Sequence, residues 1–170
     1  YSSPAVSGGV VYVGSADGNV YALNASTGKQ IWNRTTLGSI ESSPAVANGK
    51  VFVGSIDGNV YAWNAATGTP AWPTPALTGG EIYCSPAVLA GVVYVGSMDA
   101  NVYAFKESDG TRVWNRTIGG AVHRSSPAIA YGKLFIGSID KKLYALDASS
   151  GKQLWNFSTG NSIESSPAVA

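Results

Sequence analysis

The chain has 170 residues, a net charge of +1 and only 12% charged residues without a Lys/Arg cluster, so neither nucleic acid nor an anionic membrane surface is an expected partner. No apolar run approaches the roughly 20 residues of a membrane span, no secretory leader is visible, and the lone Cys84 excludes an internal disulfide. Gly, Ser, Thr, Asn, Val and Tyr stand where charged residues would be, a mix suited to short strands and turns. The first residue is not Met and the chain opens inside a repeat, so a processed or trimmed segment is expected, for which a missing leader says nothing about secretion.

Four strands are expected in the first 40 residues. The first covers 3–7 and contains Ser3-Pro4-Ala5-Val6; the second, 10–15, is an apolar run through Val10-Val11-Tyr12-Val13. The third is 19–24 (Asn-Val-Tyr-Ala-Leu-Asn) and the fourth 29–34 (Lys-Gln-Ile-Trp-Asn-Arg). β-Branched and aromatic residues fill all four, as a pleated surface prefers. Turns separate them: Gly8-Gly9, then Asp17-Gly18, a strong hairpin signal, then Gly28, where positive φ is expected. Runs this short between such turns read as strand and not helix.

The same order then repeats. Pro4 returns as Pro44, Pro86, Pro127 and Pro167, and Trp32 as Trp72, Trp114 and Trp155. Gly28 returns as Gly68, Gly110 and Gly151, four residues before each Trp. Units are therefore expected at 1–40, 41–82, 83–123 and 124–163, with an extra inner strand at 164–170. A period in this range means that one unit cannot bury its own apolar faces and needs neighbours. The expected fold class is all-β, a β-propeller of four-stranded antiparallel blades, four of them in this chain. The Trp column is expected to wedge between adjacent blades, each ring burying about 150–250 Å². Pro70, which has no N–H to donate, assigns the fourth strand to the outer edge.

Ala22 through Trp32, with its Thr27-Gly28-Lys29, resembles the tryptophan-docking motif of PQQ-like (pyrrolo-quinoline quinone) propeller repeats, and Ser-Pro-Ala-Val, Val-Tyr-Val-Gly-Ser and Asp-Gly-Asn-Val-Tyr-Ala-Leu match that family too. The resemblance runs through every unit. It implies that the first strand lines a central channel and that intact rings have seven or eight blades. Four units and a surplus strand then make this chain either a segment of a longer propeller or a half-ring that pairs with a second copy. The family holds quinone-dependent dehydrogenases, outer-membrane assembly lipoproteins and many secreted proteins, so membership does not transfer chemistry.

Function is sought where the repeats differ. Length varies only between each Trp and the next Pro, on one face of the disc, and the second unit departs most through Pro70, Pro73, Pro75 and Gly79-Gly80. Three residues before each repeated Pro stand Tyr1, Glu41, Tyr83, Arg124 and Glu164, a column of scattered charge and aromatic type, and His123 stands where Ile40, Ile82 and Ile163 do. Glu41, Tyr83, His123, Arg124 and Glu164 are read either as a polar rim at the channel mouth for a small ligand or peptide, or as ordinary solvated loop residues. The sequence offers no nucleophile–base–orienter set. The quinone enzymes that the family contains use adjacent cysteines and a calcium site, and neither is visible; no cofactor and no metal are expected. Asp17, Asp57, Asp99 and Asp140 read as turn formers, and Cys84 as a small buried substitute for Ser42, Ser125 and Ser165. Asn33, Asn115 and Asn156 begin N-x-Thr/Ser sequons on the outer strand, with Asn24 a fourth, read either as glycan acceptors or as copies of an ordinary Asn-x-Thr. The expectation is a non-catalytic, extracytoplasmic propeller module that binds a protein partner or self-associates into a larger ring; the alternative is a fragment of a quinone-dependent dehydrogenase whose cofactor residues lie elsewhere.

Overall fold

Short apolar runs between turns that require positive φ leave the chain one economical arrangement, the antiparallel meander, and it adopts this four times. The computed structural model describes residues 2–169; among them lie sixteen strands in four separate sheets, with no helix. The first sheet is β1 (Ala5–Ser7), β2 (Val10–Gly14), β3 (Asn19–Asn24) and β4 (Gln30–Thr35). The second is β5 (Ala45–Ala47), β6 (Lys50–Gly54), β7 (Asn59–Asn64) and β8 (Ala76–Leu77). The third is β9 (Ala87–Leu89), β10 (Val92–Gly96), β11 (Asn101–Lys106) and β12 (Arg112–Thr117). The fourth is β13 (Ala128–Ala130), β14 (Lys133–Gly137), β15 (Lys142–Asp147) and β16 (Gln153–Ser158). Within each sheet the strands pair in chain order, and β1, β5, β9 and β13 neighbour one another across sheets, which puts the first strands innermost. This is the β-propeller arrangement that the repeat period predicts.

The core lies between blades. Alternate residues of β2 and β3 point to opposite faces, so Tyr12, Val20, Ala22 and Trp32 from one blade bury against Val51, Val53, Tyr61 and Trp63 from the next. In three blades the outer pair slips register by one residue, at Ala22/Leu23, Ala104/Phe105 and Ala145/Leu146. The slip sets Trp32, Trp114 and Trp155 opposite the small side chains of Ala22, Ala104 and Ala145.

Two expectations about strands are corrected. In the second blade the fourth strand does not form at the place of β4: only an isolated bridge, Trp63 to Pro70, and the two-residue β8 remain. Pro70, Pro73 and Pro75 lack the N–H that a ladder needs, so the outer edge runs as turns there. The inner strand expected at 164–170 is also absent over the described residues 164–169. A strand exists only by pairing, and among the described residues none pairs with this segment.

Turn geometry explains an irregularity in the repeats. Gly18 and Gly58 close the β2–β3 and β6–β7 turns at φ 83°. Ala100 and Lys141 take the same position in the later blades at φ 66° and 72°. A side chain held in this left-handed region costs about 1–2 kcal/mol. Ala100→Gly and Lys141→Gly should therefore each stabilise the fold by roughly 1 kcal/mol, less the entropy that glycine adds to the unfolded chain. Urea midpoints that fall in both variants would contradict this.

Candidate functional site

Each connection between blades is pinned at two points. Ile40, Ile82, Val122 and Ile163 donate their N–H to Ser15, Ser55, Ser97 and Ser138 O, respectively. Their side chains lie over Gly14, Gly54, Gly96 and Gly137, so closely that a Cβ there would meet them at 2.2–2.3 Å. Just beyond, Ser2, Ser42 and Ser125 Oγ accept the N–H of Gly14, Gly54 and Gly137 at 2.8–3.1 Å. Between plug and hook, at the channel mouth, stand Glu41, Tyr83 and the pair His123-Arg124, and Glu164 follows the last plug, Ile163. Tyr1 of the same column lies outside the described residues.

His123 is corrected by this geometry. Val122, not His123, fills the Ile position, since Val122 makes the hydrogen bond to Ser97 and covers Gly96. His123 is the extra residue of a longer connection and bulges toward the mouth. Counting back from the proline misses this, because the insertion falls between plug and hook.

The structure brings the five candidates together. The His123 and Tyr83 rings meet edge to face at 4.8 Å between centroids, and His123 Nδ1 lies 3.6 Å from Glu164 Oε2. Arg124 reaches across to Glu41, Nη2 to Oε2 at 3.7 Å. Glu41 Oε2 is buried and accepts no hydrogen bond. Tyr83 donates its hydroxyl to Glu81 at 3.0 Å, and that bond, with the neighbouring Glu81 charge, raises the phenol pKa above its ordinary value. Beneath them Ser43, Ser85, Ser126 and Ser166 line a cavity of ≈ 210 Å³ with Glu41, Tyr83 and Arg124.

Those serines form a girdle that sequence reasoning passed over as part of Ser-Pro-Ala-Val. Ser3, Ser43, Ser85 and Ser126 each donate their backbone N–H to the hydroxyl one blade ahead, Ser43, Ser85, Ser126 and Ser166, at 2.9–3.0 Å. The Asp column does more than form turns. Asp17, Asp57, Asp99 and Asp140 accept hydrogen bonds from the hydroxyls of Tyr21, Tyr61, Tyr103 and Tyr144 at 2.5–2.8 Å. The last three pairs accept N–H groups from the preceding connection: Leu37 and Gly79 to Asp57 and Asp99, Gly119 to the Tyr144 hydroxyl. The signal that could have found this latch was the constant Asp-x-x-x-Tyr spacing in all four units.

The Trp column sits at the outer joints. Trp32, Trp72 and Trp114 donate Nε1–H to the carbonyls of Ala65, Glu107 and Ala148 in the following blade, at 2.9–3.0 Å. Their rings cover Gly68, Gly110 and Gly151, where a Cβ would come within 2.6–2.8 Å of indole carbon. Trp155, with no later blade among the described residues, is 43% exposed, and Gly28 has open space above it. Glu107 is itself buried, held by Asn48 Nδ2 at 2.8 Å and Lys50 Nζ at 3.2 Å from the preceding blade.

Cys84 occupies the hook position. Its Sγ accepts from Gly96 N at 3.2 Å and donates to Gly96 O at 3.3 Å, as Ser42 does with Gly54. Burial pushes the thiol pKa up to about 11, so the nucleophilic thiolate is suppressed. Cys84 should stay unlabelled by a thiol reagent at pH 7.5 until the chain unfolds, and Cys84→Ser should change stability by less than about 1 kcal/mol, because the hydroxyl repeats both bonds. Rapid labelling of the folded chain would contradict the assignment.

Among the described residues no three or more His, Cys, Asp or Glu side chains converge as a metal site. Of the sequons, Asn115 and Asn156 are exposed on β12 and β16, Asn33 is half-buried on β4, and the Asn24 Oδ1 is engaged by Ser26 and Thr27 N–H groups in its turn.

A family model described as outer membrane protein assembly factor BamB matches residues 2–126 and 75–170. Solved structures similar to this chain include the computationally designed Ika8 protein, at 17% identity and TM-score 0.84 over 95% of this chain and 50% of that one. BamB from Moraxella catarrhalis is similar at 22% identity and TM-score 0.77, over 91% of this chain and 48% of that one. The quinohemoprotein alcohol dehydrogenase ADHIIG from Pseudomonas putida HK5 is similar at 22% identity and TM-score 0.81, over 93% and 34%. No curated protein sequence matches. The chain spans one third to one half of the length of these structures, and at such identities the likeness is one of fold.

Proposed function

This chain belongs to the BamB-described family of PQQ-like propeller repeats, and from that premise we propose that it is a non-catalytic scaffold that binds a protein segment at its channel mouth. The observation that carries the reading is the cavity of ≈ 210 Å³ at the mouth, a small polar recess that Glu41, Tyr83 and Arg124 line together with four serines. Around it stand what an extended peptide needs: the Tyr83 ring as a packing surface, Arg124 for a carboxylate, and the serine girdle for backbone groups. Glu41, Tyr83, His123 and Arg124 are each held between a buried plug and a hook, which makes that part of the mouth rigid. The reading includes no quinone and no calcium in this chain, supported by the donor set described above. It places the protein outside the cytoplasm, supported by the name of the matched family and by the exposed Asn115 and Asn156 sequons. An intact mass of native material equal to the bare polypeptide would remove the glycan part.

A peptide-display library panned against the chain tests the binding reading. Peptides selected by the parent should lose at least tenfold in affinity with Tyr83→Ala or Arg124→Ala. Selected peptides that bind both variants as well as the parent, or a library that yields none, would sink it. The competing reading, a segment of a quinone-dependent dehydrogenase, is favoured by the likeness to ADHIIG. Quinone-dependent alcohol oxidation by the full-length reading frame would establish it; absence of that activity would leave the scaffold.

A further inference from the structure

The second blade has a gap in its outer ladder, and a cleft lies at the gap. On β7 the residues whose backbone groups point outward are Val60, Ala62 and Asn64. Val60 pairs with Ala76, Asn64 donates its N–H to Thr69 O at 2.8 Å, and Ala62 O accepts from Ala71 N at 2.9 Å. Among the described residues nothing accepts the Ala62 N–H. In the first blade Arg34 pairs with Val20 two residues beyond Trp32; here Ala76 pairs with Val60 four residues beyond Trp72. The extra length carries Pro73-Thr74-Pro75 outward, and no carbonyl reaches back to Ala62. Ala62 is 6% exposed, and a buried backbone N–H without a partner is rare in a folded chain.

The cleft has a volume of ≈ 190 Å³ and lies on the rim where the first blade meets the second. Tyr61 and Trp63, stacked at 5.4 Å with 7° between their planes, form one wall, and Pro73 and Pro75 another. Thr35, exposed at the end of β4, borders it from the first blade. Among the described residues none that lines it is charged. The Tyr61 hydroxyl is already spent on Asp57, at 2.8 Å. What the cleft offers is therefore aromatic and pyrrolidine surface around one amide donor.

We propose that this cleft binds a small neutral aromatic molecule carrying one carbonyl group, its ring against Tyr61, Trp63 and the prolines and its oxygen accepting the Ala62 N–H. Size sets the class. An apolar cavity of about 150 Å³ takes one benzene ring, whereas drug-sized ligands need roughly 300 Å³ or more. Aromatic walls favour an aromatic guest through offset or edge-to-face contacts. The single amide donor selects a single acceptor. Walls without a counter-charge reject a carboxylate, whose charge would be buried unpaired. A sugar would leave most of its hydroxyl groups unbonded. The prolines that cost this blade its outer strand are what open the cleft, which gives that departure from the repeat a use. None of these residues belongs to the channel mouth, so ring binding here and peptide binding there fail separately.

Benzamide, toluene and benzoate, titrated into the isotope-labelled chain and followed by amide and indole resonances, test this. Benzamide should shift the Ala62 amide and the Trp63 indole together, saturating with a Kd of ~1 mM, and should slow hydrogen exchange at Ala62. Toluene keeps the ring without the acceptor, and benzoate adds a charge; each should bind at least ~10-fold more weakly. Thr35→Phe should fill the cleft and abolish the shifts, while Thr35→Ser should bind as the parent does. An Ala62 amide that benzamide leaves unmoved, as when water alone occupies the cleft, would overturn the proposal. So would toluene or benzoate binding as tightly as benzamide, or shifts that persist unchanged in Thr35→Phe. Should Thr35→Phe fail to fold, the three titrations of the parent decide alone.

Discussion

Trp72→Ala should lower the free energy of unfolding by about 3–5 kcal/mol, read from guanidinium midpoints. Its ring is 3% exposed and packs on Phe52 at 5.6 Å between centroids. It covers Gly110, and its Nε1–H is donated to Glu107 O at 2.9 Å. Removal opens a cavity between two blades and strips a buried carbonyl of its donor. Trp72→Phe should cost less, because it retains much of the apolar contact and loses the hydrogen bond. The residue is an informative choice because it lacks the regular fourth strand that carries Trp32, Trp114 and Trp155. A loss below about 1 kcal/mol would mean that the indole does not hold the second blade to the third.

Gly54→Ala should be nearly as damaging, at about 3 kcal/mol, although only one methyl is added. A Cβ on Gly54 would stand 2.2 Å from Ile82 Cγ2 and 3.0 Å from its Cβ. Gly54 has no positive φ, so the cost is steric and not conformational. Ile82 cannot swing away, since its backbone N–H is bound to Ser55 O and its side chain is fully buried. Ile82→Ala removes the Cγ2 atom at the cost of its own cavity, about 2–5 kcal/mol. In the double variant the two penalties should overlap, giving a total at least ~1 kcal/mol smaller than their sum. Strict additivity would show that Ile82 does not plug over this glycine.

Most of the blade was legible because its determinants are local. Val10 through Gly14 and Asn19 through Asn24 fold where β-branched content and Gly-containing turns place them, and Gly28, Gly68, Gly110 and Gly151 all have the positive φ expected of them. Local signals fail where a competing constraint enters. Three prolines dissolve the second blade's outer strand, yet Trp72 keeps its seat because the joint, not the strand, positions the ring. His123 was misregistered because an inserted residue is invisible to counting from Pro127; only the hydrogen bond from Val122 to Ser97 fixes the alignment.

The mouth was legible as a column of unlike residues, but not as pairs. Nothing in the sequence says that Arg124 meets Glu41, 83 positions earlier, or that His123 meets Tyr83 edge to face; those contacts depend on blade curvature. The serine girdle and the Asp–Tyr latches were hidden for the opposite reason. Their residues are constant from unit to unit and look like scaffold, and only coordinates show the serines bonding to the neighbouring blade and the latches receiving N–H groups from the preceding connection.

Nuclear Overhauser contacts between indole rings and glycine Hα protons test the blade joint most directly. The account predicts contacts from Trp32 to Gly68, Trp72 to Gly110 and Trp114 to Gly151, with those Hα signals shifted upfield by the rings. Contacts from each indole to the glycine of its own unit instead, as from Trp72 to Gly68, would contradict it.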